Sequence, residues 1–187
     1  LNTAGPTLIV LAEHKIPVYD KGGIRLATSS WRRPAPDVLD PNVHHNNLIN
    51  SILAKIEANH AGVDDALMLD GRGFVAETNA THVFVVQAGR VLTSTTAACP
   101  EGITRAVVLE LCRELEIPCR ECNFSLTEVY RADEMFCTGT MGELAPVTEV
   151  DGRVIGDGQT GPVTSRLSSA FAALTAREGT VVVEAPS

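Results

Sequence analysis

Short apolar runs bounded by glycine, proline or asparagine recur along the chain and predict a series of β-strands. The predicted strands are Thr7–Glu13, Gly23–Ser30, Asp64–Asp70, Phe74–Asn79, Pro118–Phe124 and Asp133–Thr140. Two further stretches, "HVFVVQAGRVLTS" and "ELAPVTEVDGRVIGDG", predict hairpins, because each has a glycine-containing turn between two apolar runs. The chain is therefore expected to build much of its core from β-structure.

Helices are predicted where apolar residues recur at spacings of three and four. The predicted helices are Asn46–Ala61, Gly102–Leu115, the short Ser125–Ala132 and Gly161–Arg177. Ser125 and Glu128 have the spacing of a capping box, which fixes the start of the short helix. Hairpins and helices are mixed without a regular β-α-β alternation, so the predicted fold class is α+β.

Composition restricts the kind of protein. The 187 residues are 44% hydrophobic and 20% charged, as expected for one globular domain or one and a half. The net charge of -8 repels phosphate backbones and argues against nucleic-acid binding. No apolar run approaches the ~18 residues of a membrane span, and no signal peptide is visible. Five cysteines without a convincing disulfide or zinc pattern favour reduced thiols and a cytoplasmic location.

The five cysteines include one C-x-x-C, formed by Cys119 and Cys122. Both lie in a predicted strand, where alternate residues point to opposite faces, so the pair makes a poor redox or metal motif. The first residue is leucine, and an apolar run follows almost at once. We therefore expect this sequence to begin inside a longer protein.

Two segments have the chemistry to hold a phosphate group. Gly102–Thr104 opens a predicted helix, where free backbone N–H groups and the helix dipole favour an anion. The cluster of Thr138, Gly139, Thr140 and Gly142 follows a predicted strand, and its glycines allow a ligand to approach the backbone closely. Taken alone, each segment is more simply explained as a helix cap or a tight turn. Together they suggest one phosphate bound from two loops.

Several polar residues have more than one interpretation. Glu77 lies in an otherwise apolar strand, so it either faces solvent at an edge or faces a partner that shares a proton. His44 and His45 precede a helix, where they could bind metal, act as a base or simply be polar residues at a helix start. A metal site is disfavoured because the two are adjacent and no third ligand is apparent. Cys137 with His82 as its base is disfavoured as a nucleophile, because a buried thiol is usually inert.

The order of several motifs resembles the class IV aminotransferases, the fold-type IV pyridoxal-phosphate enzymes. The motifs are "NNLINSILAKIEA", "DALMLDGRGFVAETNATHVFVV", "GRVLTS", "EGITR", "DEMFCTGTMGELAPV" and "DGRVIGDGQTGPVT". The resemblance covers about residues 23–175. It implies the larger, C-terminal domain of the branched-chain and D-amino acid aminotransferase fold, a barrel-like sheet with helices packed outside. It also implies a homodimer or higher homo-oligomer.

The resemblance implies a site for pyridoxal 5′-phosphate. The corresponding residues are Glu77 at the pyridine nitrogen, Gly102, Ile103 and Thr104 around the phosphate, Thr140 as a second phosphate contact, and Gly139 and Met141 beside the substrate carboxylate. A carboxylate at the pyridine nitrogen keeps that nitrogen protonated, so that the ring can accept electrons from the substrate. The expected substrates are a branched-chain-like amino acid and a 2-oxo acid.

The chain departs from the family pattern in two ways. The family's N-terminal domain, which supplies an arginine to the phosphate, is expected to lie outside this sequence, apart from its final strands at most. Residues 1–30 are predicted to be remnant strands of it, 31–45 the interdomain connection and 46–187 the cofactor-binding domain. The Schiff-base lysine of the family corresponds to His44, or to Val43 if the alignment contains a gap. None of the three lysines, Lys15, Lys21 and Lys55, is placed to substitute for it.

Histidine at this position changes the expected chemistry. Imidazole does not attach the cofactor covalently, although it titrates near neutrality and can serve as a base. The predicted function is therefore a pyridoxal-phosphate-dependent aminotransferase, with two alternatives. One is a catalytically impaired relative that still binds the cofactor, and the other is a lyase of the aminodeoxychorismate lyase type.

Overall fold

The fold is given by a computed structural model, which describes residues 5–13, 19 and 22–179. The strands are β1 (Ile24–Arg32), β2 (Asp65–Leu69), β3 (Val75–Thr78), β4 (His82–Gln87), β5 (Arg90–Thr93), β6 (Cys119–Glu121), β7 (Glu134–Gly139), β8 (Glu143–Val150) and β9 (Arg153–Val154). The helices are α1 (Pro36–Leu39), α2 (Ile49–Ala61), α3 (Ile103–Glu114), α4 (Leu126–Tyr130) and α5 (Pro162–Arg177). None of the described helices is long and apolar enough to cross a membrane.

All nine described strands belong to one mixed sheet. Their order is β3-β2-β1-β8-β7-β4-β5-β6, with β9 paired to β8. β1 runs parallel to both β2 and β8, whereas the hairpins β4–β5 and β8–β9 are antiparallel. Each hairpin turns through two consecutive residues with positive φ, Ala88-Gly89 and Asp151-Gly152, as the paired sequences predict. The α+β class is confirmed.

The sheet curls around one core and carries helices on its outer face. Val83 and Val85 of β4 join the inner cluster, which contains residues of β1, β2, β3, β5, β7 and β8 together with α4. Phe84 and Val86 point the other way and pack under α3 and α5. Phe84 stacks on Phe136 of β7 with ring centroids 5.0 Å apart. Successive side chains of β4 thus point alternately into two cores. One is enclosed by the curled sheet, and the other lies between the sheet and helices α3 and α5.

Helix α2 packs against the sheet through its small residues and not through the isoleucines whose spacing predicted the helix. The predicted helix is present, although it begins at Ile49 instead of Asn46. Its buried residues are the small Ser51, Ala54 and Ala58. Ile49, Ile52 and Ile56, whose spacing predicted the helix, are 52%, 52% and 44% exposed. The periodicity identified the helix but not the face that this domain buries, because small residues allow α2 to approach the sheet closely.

Three local predictions are corrected by the structure. Thr7–Glu13 adopts no strand in the part of the chain that the structure describes, because it lies outside the sheet that would supply backbone partners. The three prolines of Trp31–Asn42 predict an irregular connection, but the segment contains the short helix α1, whose first residue is Pro36, a favoured position for proline. β6 is restricted to Cys119–Glu121, since only these residues align with β5.

The predicted domain division stays a prediction. β1 falls mostly within residues 1–30, which were assigned to remnant strands, and it lies between β2 and β8 in this sheet. Its Ile24 and Leu26 are buried in the inner core. The segment that follows β1 leads directly to the cleft described next.

Candidate functional site

A cleft of about 850 Å³ lies between the segment that follows β1 and the end of β3. Its polar lining includes Arg33, His44, His45, Glu77 and Asn79. Its apolar lining includes Trp31, Val38, Leu39, Val43, Leu48 and Ile49. The cleft therefore combines an apolar wall with a few charged or titratable groups, as small-molecule sites commonly do.

Glu77 is the buried acid of this cleft. It lies on β3, where it pairs with Met68 of β2, and it is only 5% exposed. Its Oε1 is 2.7 Å from Nη2 of Arg33, which is itself largely buried. Burial raises the pKa of Glu77 to about 7, and the Arg33 guanidinium limits that rise. The sequence left two interpretations of Glu77 open. The interpretation as a solvent-facing residue is wrong, because Glu77 is buried and its carboxylate is paired with Arg33.

His82 lies beside the second oxygen of that carboxylate. Its Nε2 is 2.8 Å from the carbonyl oxygen of Pro100 and 3.7 Å from Oε2 of Glu77. Since a carbonyl can only accept a hydrogen bond, Nε2 carries the proton. Burial lowers the pKa of His82, so the ring is neutral near pH 7. His82 thus connects the acid on β3 to the loop that leads into α3 without adding a second positive charge.

The N-terminus of α3 is packed against the same histidine. Gly102 is the N-cap with φ of 68°, and no side chain caps the first turn. A Cβ built on Gly102 would lie 2.3 Å from Cε1 of His82, so only glycine fits this contact. Thr104 is buried, whereas the side chain of Ile103 is 84% exposed. The first-turn N–H groups lack intrahelical partners, as at any helix start, and are available to an anion.

The end of β7 also lies beside Thr81 and His82. Thr138 pairs with His82 across β4 and β7, and its Oγ1 is buried without a hydrogen-bond partner among the described residues. Gly139 lies against Thr81, whose Cγ2 would be 3.0 Å from a Cβ at that glycine. Thr140 is exposed, and Met141 is 52% exposed. The proposed phosphate segments therefore meet around residues 81 and 82, although they do not line the cleft itself.

Substituting alanine for Gly102 tests whether the contact with His82 fixes the helix start. Gly102→Ala is expected to destabilise the fold by clearly more than the ~1 kcal/mol typical of a positive-φ glycine, because the new methyl group meets the ring of His82. Gly62→Ala is the control for a positive φ alone, since Gly62 has φ of 70° and ψ of 30° and nothing within 4 Å of its Cβ position. Combining Gly102→Ala with His82→Ala separates the contact with the ring from the cost of the Gly102 backbone, which has ψ of 121°. Urea denaturation of these variants measures the difference. Equal losses would contradict the proposed contact.

The raised pKa of Glu77 predicts a pH dependence of stability. Because the folded pKa of about 7 exceeds the ordinary value of 4.5, the folded state binds the proton more tightly. This contribution is full below about pH 4.5 and is lost as the pH rises through about 7. The lowered pKa of His82 acts in the opposite direction below 6.5. Comparing denaturation curves of the parent chain and Glu77→Gln from pH 4 to 8 should isolate the Glu77 term, and parallel profiles would contradict it.

The two histidines before α2 occupy different settings on the cleft wall. His44 is exposed to the cleft, and His45 accepts a hydrogen bond at Nδ1 from the backbone N–H of Asn47 at 3.1 Å. The hydrogen bond supports a structural role for His45 near the helix start. Among the described residues, no group of three or more His, Cys, Asp or Glu side chains is placed to hold a metal ion.

The other candidate groups are occupied or inert. Lys55 Nζ pairs with Oδ1 of Asp65 at 2.9 Å and also donates to the carbonyl of Asp64. Lys15 and Lys21 lie outside the described residues. Burial raises the pKa of the Cys137 thiol to about 12, which makes it a poor nucleophile. In the described part of the chain, no lysine lines the cleft.

Sequence reasoning missed Arg33. The residue lies in a proline-containing connection, where a charged side chain is ordinary and predicts nothing by itself. Only the tertiary structure shows that it is buried against Glu77, which lies far along the chain on another strand. A basic residue next to prolines, followed later by an acid in an apolar strand, is too weak a signal to predict an ion pair.

Sequence and fold comparisons agree on the family of this chain. The profile of the family described as Amino-transferase class IV matches residues 1–150. The structure superposes on the branched-chain amino acid aminotransferase of Thermobaculum terrenum, solved in its PLP-form, with a TM-score of 0.81 and 34% identity. That match covers 86% of this chain and 54% of the solved one. The chain belongs to the class IV aminotransferases, and the expected barrel-like fold is confirmed.

Curated relatives carry branched-chain names and are longer than this chain. Branched-chain-amino-acid aminotransferase-like protein 2 of Arabidopsis thaliana is 56% identical over 95% of this chain and 32% of its own length. The putative branched-chain-amino-acid aminotransferase of Methanocaldococcus jannaschii is 44% identical over 89% of this chain and 58% of its own. The chain thus spans between a third and somewhat over half of these relatives.

Proposed function

We propose that this chain forms the pyridoxal-phosphate-binding part of an aminotransferase acting on branched-chain-like amino acids and 2-oxo acids. The observation that carries the proposal is the buried Glu77, whose carboxylate is held by Arg33 at the cleft that His44 also lines. A buried acid with a charged partner in a cleft is a common arrangement at functional sites. Membership of the class IV aminotransferases supports assigning this acid to the pyridine nitrogen of the cofactor.

The residues present fit the cofactor at both of its ends. Glu77 offers a carboxylate to a protonated ring nitrogen, and the uncapped N-terminus of α3 offers N–H groups to a phosphate. The hydroxyl of Thr138 is a buried polar group that still lacks a partner among the described residues near the second loop. When bound, pyridoxal phosphate supplies an electron-accepting ring that stabilises negative charge on the substrate carbon.

The residues of the chain would divide the remaining tasks. Glu77 accepts a hydrogen bond from the ring nitrogen and keeps that nitrogen protonated. Gly102, Ile103 and Thr104 bind the phosphate through backbone N–H groups, with Thr140 on the second loop. Gly139 and Met141 lie next to this loop, where the substrate carboxylate is expected.

His44 is proposed to stand where the family has its lysine. An imidazole can accept and return a proton, but it leaves the cofactor held by non-covalent contacts alone. Turnover by this chain is therefore expected to be low, as when a central catalytic group is lost. A catalytically impaired relative that still binds the cofactor is the second candidate, and the absence of a lysine among the described cleft residues favours it.

The apolar wall of the cleft supports branched-chain-like substrates. Trp31, Val38 and Leu39 present hydrocarbon surface to the space next to Glu77. A methyl-branched side chain gains free energy by leaving water for such a surface. The rest of the substrate site, and the homodimer that the resemblance implies, would involve parts of a longer protein.

Cofactor titration tests the proposal directly. The chain is expected to bind pyridoxal phosphate with a saturable change in absorbance, and borohydride followed by denaturing mass spectrometry should leave the parent chain without attached cofactor. Glu77→Gln should bind it more weakly. An assay with L-leucine and a 2-oxo acid would then separate a slow transaminase from a silent binder. Failure of the parent chain to bind the cofactor would refute the proposed function.

A further inference from the structure

Arg33 connects three separate parts of the site. Its Nη2 lies 2.7 Å from Glu77 on β3, its Nη1 donates to Oγ of Ser51 on α2 at 2.9 Å, and its Nε donates to the carbonyl of Ala98 at 3.3 Å. Ala98 belongs to the loop that leads into the N-terminus of α3. All three guanidinium nitrogens of Arg33 therefore have a partner. The hydrogen bonds to Ser51 and Ala98 fix the orientation of the guanidinium independently of Glu77.

No other described cation is placed to replace Arg33. His82 is neutral, stands 3.7 Å from the second oxygen of Glu77 and already donates to the carbonyl of Pro100. Arg105 donates to the carbonyl of Ser94 at 2.7 Å and to the carboxylate of Glu121 at 2.5 Å. Among the described residues, Arg33 is therefore the one side chain that presents a positive charge to Glu77.

The pairing leaves one carboxylate oxygen for a ligand. Oε1 of Glu77 accepts from Arg33, whereas within the described ranges the polar group nearest to Oε2 is Nε2 of His82 at 3.7 Å. A bound cation or protonated ring nitrogen could therefore reach Oε2 without displacing the guanidinium. An arrangement with both oxygens taken by Arg33 would have blocked the acid.

We propose that Arg33 is a positioning residue that favours the ionised form of the Glu77 carboxylate, with Oε2 directed at the nitrogen end of the cofactor site. This inference rests on the proposed function for the identity of the ligand. The geometry also gives Arg33 a second effect, because its contacts with Ser51 and Ala98 fix the acid relative to α2 and to the loop before α3. The segment that carries His44 begins at the same residue.

Titration of the cofactor-free chain tests the proposal without any ligand. The ¹³C carboxyl signal of Glu77, assigned with Glu77→Gln, is followed against pH in the parent chain, Arg33→Lys and Arg33→Met. Arg33→Met is expected to raise the carboxyl pKa by about 1 to 3, since a close opposite charge lowers an acid's pKa by that range. Arg33→Lys should give a smaller rise, because a single ammonium group cannot make all three contacts.

Arg32→Met is the matched control. Arg32 adjoins Arg33 and is exposed, and its Nη1 donates to the carbonyls of Ser29 and Ser30 rather than to Glu77. Removing the Arg32 guanidinium should leave the carboxyl pKa of Glu77 the same as in the parent chain. An unchanged Glu77 titration in Arg33→Met would overturn the proposal. If Arg33→Met fails to fold, Arg33→Lys decides the question by the same measurement.

The pH profile of cofactor binding separates positioning from a purely structural role. In Arg33→Lys, affinity for pyridoxal phosphate should fall by about two- to fivefold near pH 7 and recover in alkaline solution, as the acid ionises again. A loss that is the same at every pH would indicate general damage and would contradict the proposal. If the parent chain binds no pyridoxal phosphate, the proposed function fails, while the carboxyl titration still decides the role of Arg33.

Discussion

His44→Lys is expected to attach pyridoxal phosphate covalently to a chain that otherwise binds it reversibly. The reason is that a lysine amine forms a bond with the cofactor aldehyde, which imidazole cannot do, and it also moves protons at the substrate carbon. Borohydride reduction followed by denaturing mass spectrometry measures the attachment. Amino transfer should also rise by at least about 100-fold, the lower range for gaining a positioned general acid–base group.

Neighbouring lysine substitutions are the controls for this prediction. Val43→Lys tests the alternative alignment by one position, and His45→Lys places an amine where the native ring accepts a hydrogen bond from Asn47. Attachment through position 44 alone would support the assignment of His44. Attachment only at position 43 would shift the alignment, and attachment at none of them, despite reversible binding, would contradict the correspondence with the family lysine.

Glu77→Leu is expected to cost about 3 to 5 kcal/mol of folding free energy, in addition to abolishing tight cofactor binding. The substitution leaves the guanidinium of Arg33 buried without its counter-charge, which is far more costly than losing an exposed ion pair. Chemical denaturation of the parent chain and the variant measures the loss. The double variant Glu77→Leu/Arg33→Met should recover part of it, because no unpaired charge then remains.

An ion pair with an exposed cation provides the comparison, since its buried acid, Asp70, also accepts hydrogen bonds from the backbone N–H groups of Arg72 and Phe74. Nη2 of Arg72 lies 2.8 Å from Asp70, but the Arg72 side chain is 57% exposed. Arg72→Met is therefore expected to cost no more than about 1 kcal/mol. A similar cost for Glu77→Leu would mean that the charge of Arg33 finds another partner or reaches water, and the electrostatic account of the site would then be wrong.

Local patterns predicted the elements of this protein well where the physics is local. The Asp151-Gly152 turn, the capping box of Ser125 and Glu128, and the helix starting after Gly102 all occur where the sequence places them. Turns and caps depend on residues within a few positions of one another, so a single sequence contains the needed information. Thr7–Glu13 failed as a strand because strand formation depends on a distant partner.

The candidate site likewise contains some features that local sequence predicts and others that depend on the tertiary structure. The segments around Thr104 and Thr140 were recognisable, since a helix start and a glycine-rich loop have local signatures. Glu77 was noticed as an acid in an apolar strand, but its direction was open. Which face of α2 is buried was not predicted at all, because Ser51, Ala54 and Ala58 have no signal as strong as that of the exposed isoleucines.

By itself, the sequence determined the α+β class, the family resemblance and the histidine at the position expected for the family lysine. These conclusions depend on residue identity and order, which folding does not change. Only the tertiary structure decided that Glu77 is buried, that Arg33 is its partner and that His82 touches Gly102. The physical reason is that burial and charge pairing join residues far apart in the chain, and their energies exist only once the sheet has brought those residues together.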